Sequence, residues 1–176
     1  MRQIRFTMPT EQDLFAWFDA AGHALSVHEH PATPTVAEAE RIKLTLPPGH
    51  SKSLLLKEKD GTLTMVTARG KARADLKALA DATGARRFSF ASEEDMIEGL
   101  GVRPGELSPL ALINDRDRRI GRVILDAPLL DFADIWCHPL RNTASFGVPP
   151  GALIAFIEAH FGAPLRLDVT APQAMT

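Results

Sequence analysis

Apolar residues fall at helical spacing behind Thr10-Glu-Gln-Asp13, a capping-box pattern, with Leu14, Trp17, Phe18 and Ala21 marking one face until Gly22. Residues 24–30 alternate loosely through Leu25 and Val27 and stop at Pro31, which predicts a short strand running into a turn. A second capping box, Thr35-Val-Ala-Glu38, opens a short helix to Ile42 that must stop before Pro47-Pro48-Gly49. The clearest local unit is a hairpin: strand-like runs over 53–59 and 62–68 flank Asp60-Gly61. Beyond it the pattern predicts a helix over 72–82 ending near Gly84. Ser92-Glu-Glu-Asp95 caps another that ends at Leu100 and Gly101. Residues 103–109 form a loop, 116–119 an exposed charged turn, and 122–126 and 134–138 strands on either side of Pro128. A last helix starts at Pro149-Pro150, carries Leu153, Ile154, Ile157 and Phe161 on one side, ends at Gly162 and leads to a strand over 165–169. Irregular alternation with a hairpin predicts a mixed α/β (α+β) fold, a mixed sheet with packed helices rather than a doubly wound parallel one.

Composition narrows the class. A length of 176 residues, 45% of them hydrophobic, suits a single domain spanning 1–176 with a sizeable core. Twenty Lys and Arg against 22 Asp and Glu give a net charge of -2, which argues against a protein that coats nucleic acid through its phosphates. Cys137 is the only cysteine, so a disulfide framework and a thiolate zinc cluster are excluded and a reducing compartment, the cytoplasm, is expected. No apolar run approaches the roughly 20 residues of a membrane span, and Met1 is followed by charge without a signal-like apolar stretch, so no membrane partner is expected.

Candidate chemistry is sparse. Of six histidines, His23, His28 and His30 cluster in sequence, but the spacing of a zinc site is missing and no metal or other cofactor is expected. Cys137 and His138 would point to opposite faces of a strand, so they do not form a thiol–imidazole dyad, and Cys137 reads as a small buried residue. Neither G-x-S-x-G nor a phosphate-binding P-loop occurs. Lys52 stands where the hairpin begins, at the mouth of the apolar Leu54-Leu55-Leu56 strand, suited to a phosphate or carbonyl contact or simply to solvation of a strand end. The loop Gly105-Glu-Leu-Ser-Pro109 could turn backbone N–H groups toward an oxyanion, or be a plain turn.

Taken in order, His28-Glu-His-Pro31 with Thr35-Val-Ala-Glu-Ala39, Lys52-Ser-Leu-Leu-Leu56, Phe88-Ser-Phe-Ala-Ser92, Gly105 to Pro109, Asn114-Asp115, Leu125-Asp126 and His138-Pro-Leu-Arg-Asn-Thr143 resemble one family. It is the YbaK and prolyl-tRNA editing superfamily, within it the free-standing ProX-type deacylases of Ala-tRNA(Pro). The resemblance implies a single editing domain with a strongly curved mixed sheet, and hydrolysis of the ester between an amino acid and the terminal ribose of tRNA. It maps the catalytic group onto Lys52, holding the terminal phosphate or adenosine, Gly105, whose loop would stabilise an oxyanion, and His138, which would position substrate. It maps substrate binding onto His30, Val36, Ser53, Ser108, Pro109 and Asn142. Partners implied are the aminoacylated acceptor end of tRNA(Pro) and prolyl-tRNA synthetase, with no DNA.

Two positions depart from the family pattern. Ser53 stands where Asn is usual, a shorter side chain with a hydroxyl in place of an amide, and Leu55 replaces Phe, a change of packing. Two other readings stay open at this level: a Cys-tRNA(Pro) deacylase, and a non-catalytic RNA-binding or regulatory protein on the same fold.

Overall fold

The structure, a computed structural model, describes residues 8–32 and 36–170. Helix α1 (Glu11–Ala20) starts as its capping pattern requires, the Asp13 carboxylate accepting from the Thr10 backbone N–H at 2.6 Å and from Thr10 Oγ1 at 2.8 Å. Its buried Leu14 and Phe18 face inward, and Phe18 stacks on Phe156 of α5 (Pro150–His160) with ring centroids 5.2 Å apart. Strand β1 (Ser26–Glu29) and helix α2 (Val36–Lys43) follow; Thr35, the cap expected for α2, lies outside the described residues. The hairpin is β2 (Ser51–Lys57) and β3 (Leu63–Arg69), whose five-residue loop carries Gly61 at φ +92° with Thr62 N–H donating to Asp60 Oδ1.

Helix α3 (Leu76–Thr83) is shorter than the 72–82 expected. The Asp75 N–H is committed to the Val169 carbonyl at 2.9 Å while the Asp75 side chain caps the Ala78 N–H, so the helix cannot start earlier. After β4 (Ser89–Phe90), helix α4 (Glu93–Leu100) opens with the Ser92/Asp95 box, and Asp95 also receives Lys57 Nζ from β2 at 2.8 Å. A 3-10 turn over Pro109–Asn114, capped by Ser108, leads to β5 (Ile120–Asp126). The remaining strands are β6 (Ile135–Cys137), β7 (Ala144–Val148), absent from the sequence expectation, and β8 (Leu165–Leu167).

The strands form two sheets. One has the order β1-β7-β6, all antiparallel; the other runs β4-β2-β3-β5-β8, antiparallel among β4, β2 and β3 and parallel from β3 through β8. The fold is thus the mixed α/β type expected. Alternation along β2 decides the layers: Leu55 enters the larger core with Met65, Phe146 and Phe156, whereas Leu56 enters a smaller one with Val66, Ala68 and Leu79 of α3. The β2 to β5 sheet therefore has a packed core on each face.

Candidate functional site

The two sheets meet at one corner. Trp136 N–H of β6 donates to the Gly49 carbonyl at 2.9 Å, His50 pairs with Trp136 as an isolated parallel bridge, and Ser51 Oγ donates to the Trp136 carbonyl at 2.7 Å. Gly49 is needed there. Its φ is +114°, and a Cβ would lie 2.0 Å from the Asp134 carbonyl oxygen. The corner leaves a cavity of about 60 Å³ lined by Ile42 of α2 and Leu46 just beyond that helix, with His30, His50, His138 and Ser145 among its walls. A space of that size holds a few waters or a small organic group.

Imidazole chemistry in the cavity is set by local hydrogen bonds. His138 Nδ1 lies 3.0 Å from the Ala144 carbonyl, which can only accept, so Nδ1 carries the proton and Nε2 keeps its lone pair. Burial lowers the His138 pKa below the ordinary imidazole value, so the neutral form holds at neutral pH. The His30 ring stands 6.0 Å from that of His138, centroid to centroid, with Nδ1 against the Pro31 carbonyl and Nε2 3.1 Å from Ser145 Oγ. Strand β1 holds it there by pairing with β7, and the His30 N–H donates to the Thr143 carbonyl. Behind this wall Arg141 joins Glu11 of α1 to Glu29 of β1, with contacts of 2.8 and 2.6 Å.

Of the residues singled out from sequence, His30 and His138 line the cavity together. Ser108 adjoins them: its hydroxyl donates to the His138 carbonyl at 2.6 Å, and Pro109 is buried beside it at the start of the 3-10 turn. Within the loop, hydrogen bonds engage the N–H groups of Arg103, Glu106 and Leu110, and none engages Leu107 or Ser108 among the described residues. Gly105 itself sits exposed at the turn with φ +91°. Asn142 is half-buried in the link between β6 and β7, outside the cavity lining. Lys52 and Ser53 follow Ser51, a lining residue, but point to opposite sheet faces: Ser53 Oγ meets Thr67 Oγ1 at 2.9 Å, whereas Lys52 shares the face of Leu54 and Leu56. Val36 begins α2, and its side chain lies outside the described residues. The sequence reading missed His50, Trp136 and Ser145, which reach the cavity through the sheet corner and through β7.

Cys137 also borders the cavity, yet burial pushes its thiol up to about 12, which leaves almost no thiolate at neutral pH. Cys137→Ala is expected to keep the deacylation rate within about three-fold, on the thiolate requirement for sulfur nucleophiles; a thousand-fold loss in a folded variant would establish thiol catalysis. Among the described residues no three His, Cys, Asp or Glu side chains converge as metal ligands, although the His28 and His30 rings are 6.2 Å apart. Nor is any described helix long and apolar enough to cross a membrane.

Two sheets joined over a small histidine-walled cavity define the class of domain to which this chain is similar. The chain belongs to the aminoacyl-tRNA editing domain family, which matches residues 30–156, as the ordered segments implied. A zebrafish (Danio rerio) prolyl-tRNA synthetase associated domain-containing protein 1 is 33% identical over 142 residues, covering 80% of this chain and 77% of that protein. The prolyl-tRNA editing protein ProX of Acetoanaerobium sticklandii is 29% identical, covering 78% and 84%. Among solved structures, a candidate trans-editing enzyme for prolyl tRNA synthetase superposes with a TM-score of 0.67 at 24% identity, covering 92% of this chain and 99% of that one, which shows the shared fold.

Proposed function

We propose that this chain, acting as one editing domain, is a trans-editing hydrolase that deacylates mischarged tRNA(Pro), with Ala-tRNA(Pro) as its substrate. The observation that carries the reading is the size of the cavity between His30 and His138: about 60 Å³ suits a small aminoacyl group. A synthetase pocket built for proline rejects alanine weakly, because each missing methylene is worth only about 1–3 kcal/mol. A second site that admits only the smaller side chain restores discrimination. In this reading the uncharged Nε2 of His138 accepts a hydrogen bond from the substrate's amino group or from the attacking water. The Leu107 and Ser108 N–H groups serve the carbonyl oxygen as negative charge develops on it. Water attacks the ester carbon, the carbonyl electrons shift to oxygen, and collapse expels the ribose hydroxyl, with the neighbouring ribose hydroxyl assisting. Lys52 holds the terminal phosphate. The acceptor end of tRNA(Pro) is the partner, in the company of prolyl-tRNA synthetase, in the cytoplasm.

The test is deacylation of Ala-, Cys-, Ser- and Pro-charged tRNA(Pro) by purified protein. Preferential loss of alanine is expected. Faster release of cysteine would assign the cysteine-editing branch instead, and no release of any would leave a binding protein. Activity is expected to persist in excess chelator, because ligand spacing for a metal is missing from the sequence; loss in chelator with recovery in zinc would overturn that expectation.

A further inference from the structure

Among the described residues no carboxylate lines the small cavity, and burial keeps its one thiol protonated, so a protein base for the attacking water has to be an imidazole. Three are present. In His30 both ring nitrogens are taken: Nδ1 meets the Pro31 carbonyl, which can only accept, so Nε2 is left to accept from the Ser145 hydroxyl. His138 keeps Nε2 free, as described above. His50 is the third. Its main chain is fixed at the sheet corner, the carbonyl accepting from the Gly70 N–H at 2.7 Å and the residue bridging to Trp136. It is half-buried and borders both the cavity and a wider, more open concavity of about 460 Å³ between the ends of α2 and β3. A hydrogen bond to the Lys43 backbone raises the His50 pKa, so the ring donates that bond and its second nitrogen keeps a lone pair. Burial is the larger effect and lowers the pKa below the ordinary imidazole value. Of the charges around the ring, Lys43 and Lys71 lower it further, Glu40 raises it, and Arg69 is held by Asp126 and Asp168.

We infer that His50 is the general base of the deacylation: its unprotonated nitrogen takes a proton from the attacking water while His138 holds the substrate's amino group. The inference rests on the deacylase reading above. As the water oxygen bonds to the ester carbon, one of its O–H bonds breaks and the proton passes to His50. When the ester C–O bond breaks, the imidazolium returns that proton to the departing ribose oxygen, so the ring ends neutral and only water is consumed. The placement of the two free imidazoles fits this division. His138 is the more deeply buried and stands beside His30, whereas His50 stands at the border with the open concavity, where water enters. The lysines near His50 disfavour imidazolium, which helps the ring to give the proton up again.

The test is the pH dependence of Ala-tRNA(Pro) hydrolysis, corrected for spontaneous hydrolysis, in wild-type protein and in His50→Gln, which keeps a polar side chain. The active form is the neutral ring, so the wild-type rate should fall as pH drops through the lowered His50 pKa, giving an acid limb below about pH 6.5. His50→Gln should lose about a hundred-fold in kcat, the lower end of what a general base supplies, with KM within about three-fold, and should lose the acid limb. In His50→Ala, added imidazole should restore part of the rate, which it would not do for a side chain that only supports the corner. Melting curves show whether each variant is folded. A folded His50→Gln protein with near-normal kcat, or one that is slow but keeps the wild-type acid limb, would overturn the assignment while leaving the deacylase reading intact. Release of no amino acid from any charged tRNA(Pro) by the wild-type protein would overturn both.

Discussion

Lys52→Ala should lower single-turnover hydrolysis of Ala-tRNA(Pro) by about a hundred-fold or more, the loss of a charge-assisted contact made at the reacting end of the substrate. Among the described residues no hydrogen bond or ion pair engages its ammonium, so the charge is available to a ligand. The sequence alone suggested an exposed strand-end lysine. The structure instead places it half-buried, across from the buried Ala68 and on the Leu54 and Leu56 face, a position that suits a lysine burying its methylene stem while keeping its ammonium in water. A stability cost of up to about 1 kcal/mol is therefore expected from Lys52→Ala, readable in a melting curve and far too small to account for the kinetic loss. Lys52→Arg should recover part of the rate if phosphate attraction dominates, since guanidinium keeps the charge but spreads it over a planar fork. Near-normal turnover by a folded Lys52→Ala protein would place the active site elsewhere.

What could be read from the sequence was local. Capping boxes at Thr10/Asp13 and Ser92/Asp95 and the Asp60-Gly61 hairpin declare themselves within a few residues, and each stands close to where it was expected. Strand β7 did not declare itself. Ala144-Ser-Phe-Gly-Val148 is buried throughout between β1 and β6, so it lacks the alternation that marks a half-exposed strand. Its Gly147 is dictated by a neighbour remote in sequence: a Cβ there would meet the Trp136 ring at 2.9 Å. With β7 unseen, Ser145 could not be placed beside His30. The corner was equally illegible, because His50 and Trp136 are joined by a bridge across 86 residues. Motif order identified the family and two histidines of the cavity, while the walls contributed by long-range pairing needed the fold.

Gly49→Ala should be the most destabilising single-methyl change near the site, costing about 3 kcal/mol or more. Two effects combine: a φ of +114° that L side chains rarely adopt, and a Cβ driven to 2.0 Å from the Asp134 carbonyl oxygen and 3.2 Å from Phe132 Cβ. Backbone atoms cannot turn aside as a flexible side chain would, so either Asp134 or the Gly49 carbonyl must move. Moving the latter breaks its hydrogen bond from Trp136 N–H, one of the links that join the two sheets. For a chain of this size the melting temperature should fall by about 6–12 °C. Gly61→Ala is the control: φ is similarly positive at +92°, but nothing lies within 4 Å of the added methyl, so only conformational strain remains. Because His50, Ser51 and Trp136 all wall the cavity, Gly49→Ala should also reduce deacylation at temperatures where the variant is still folded, whereas Gly61→Ala should not. Melting of Gly49→Ala level with Gly61→Ala would show that the sheet corner yields to a methyl group, and that the cavity does not depend on its close approach.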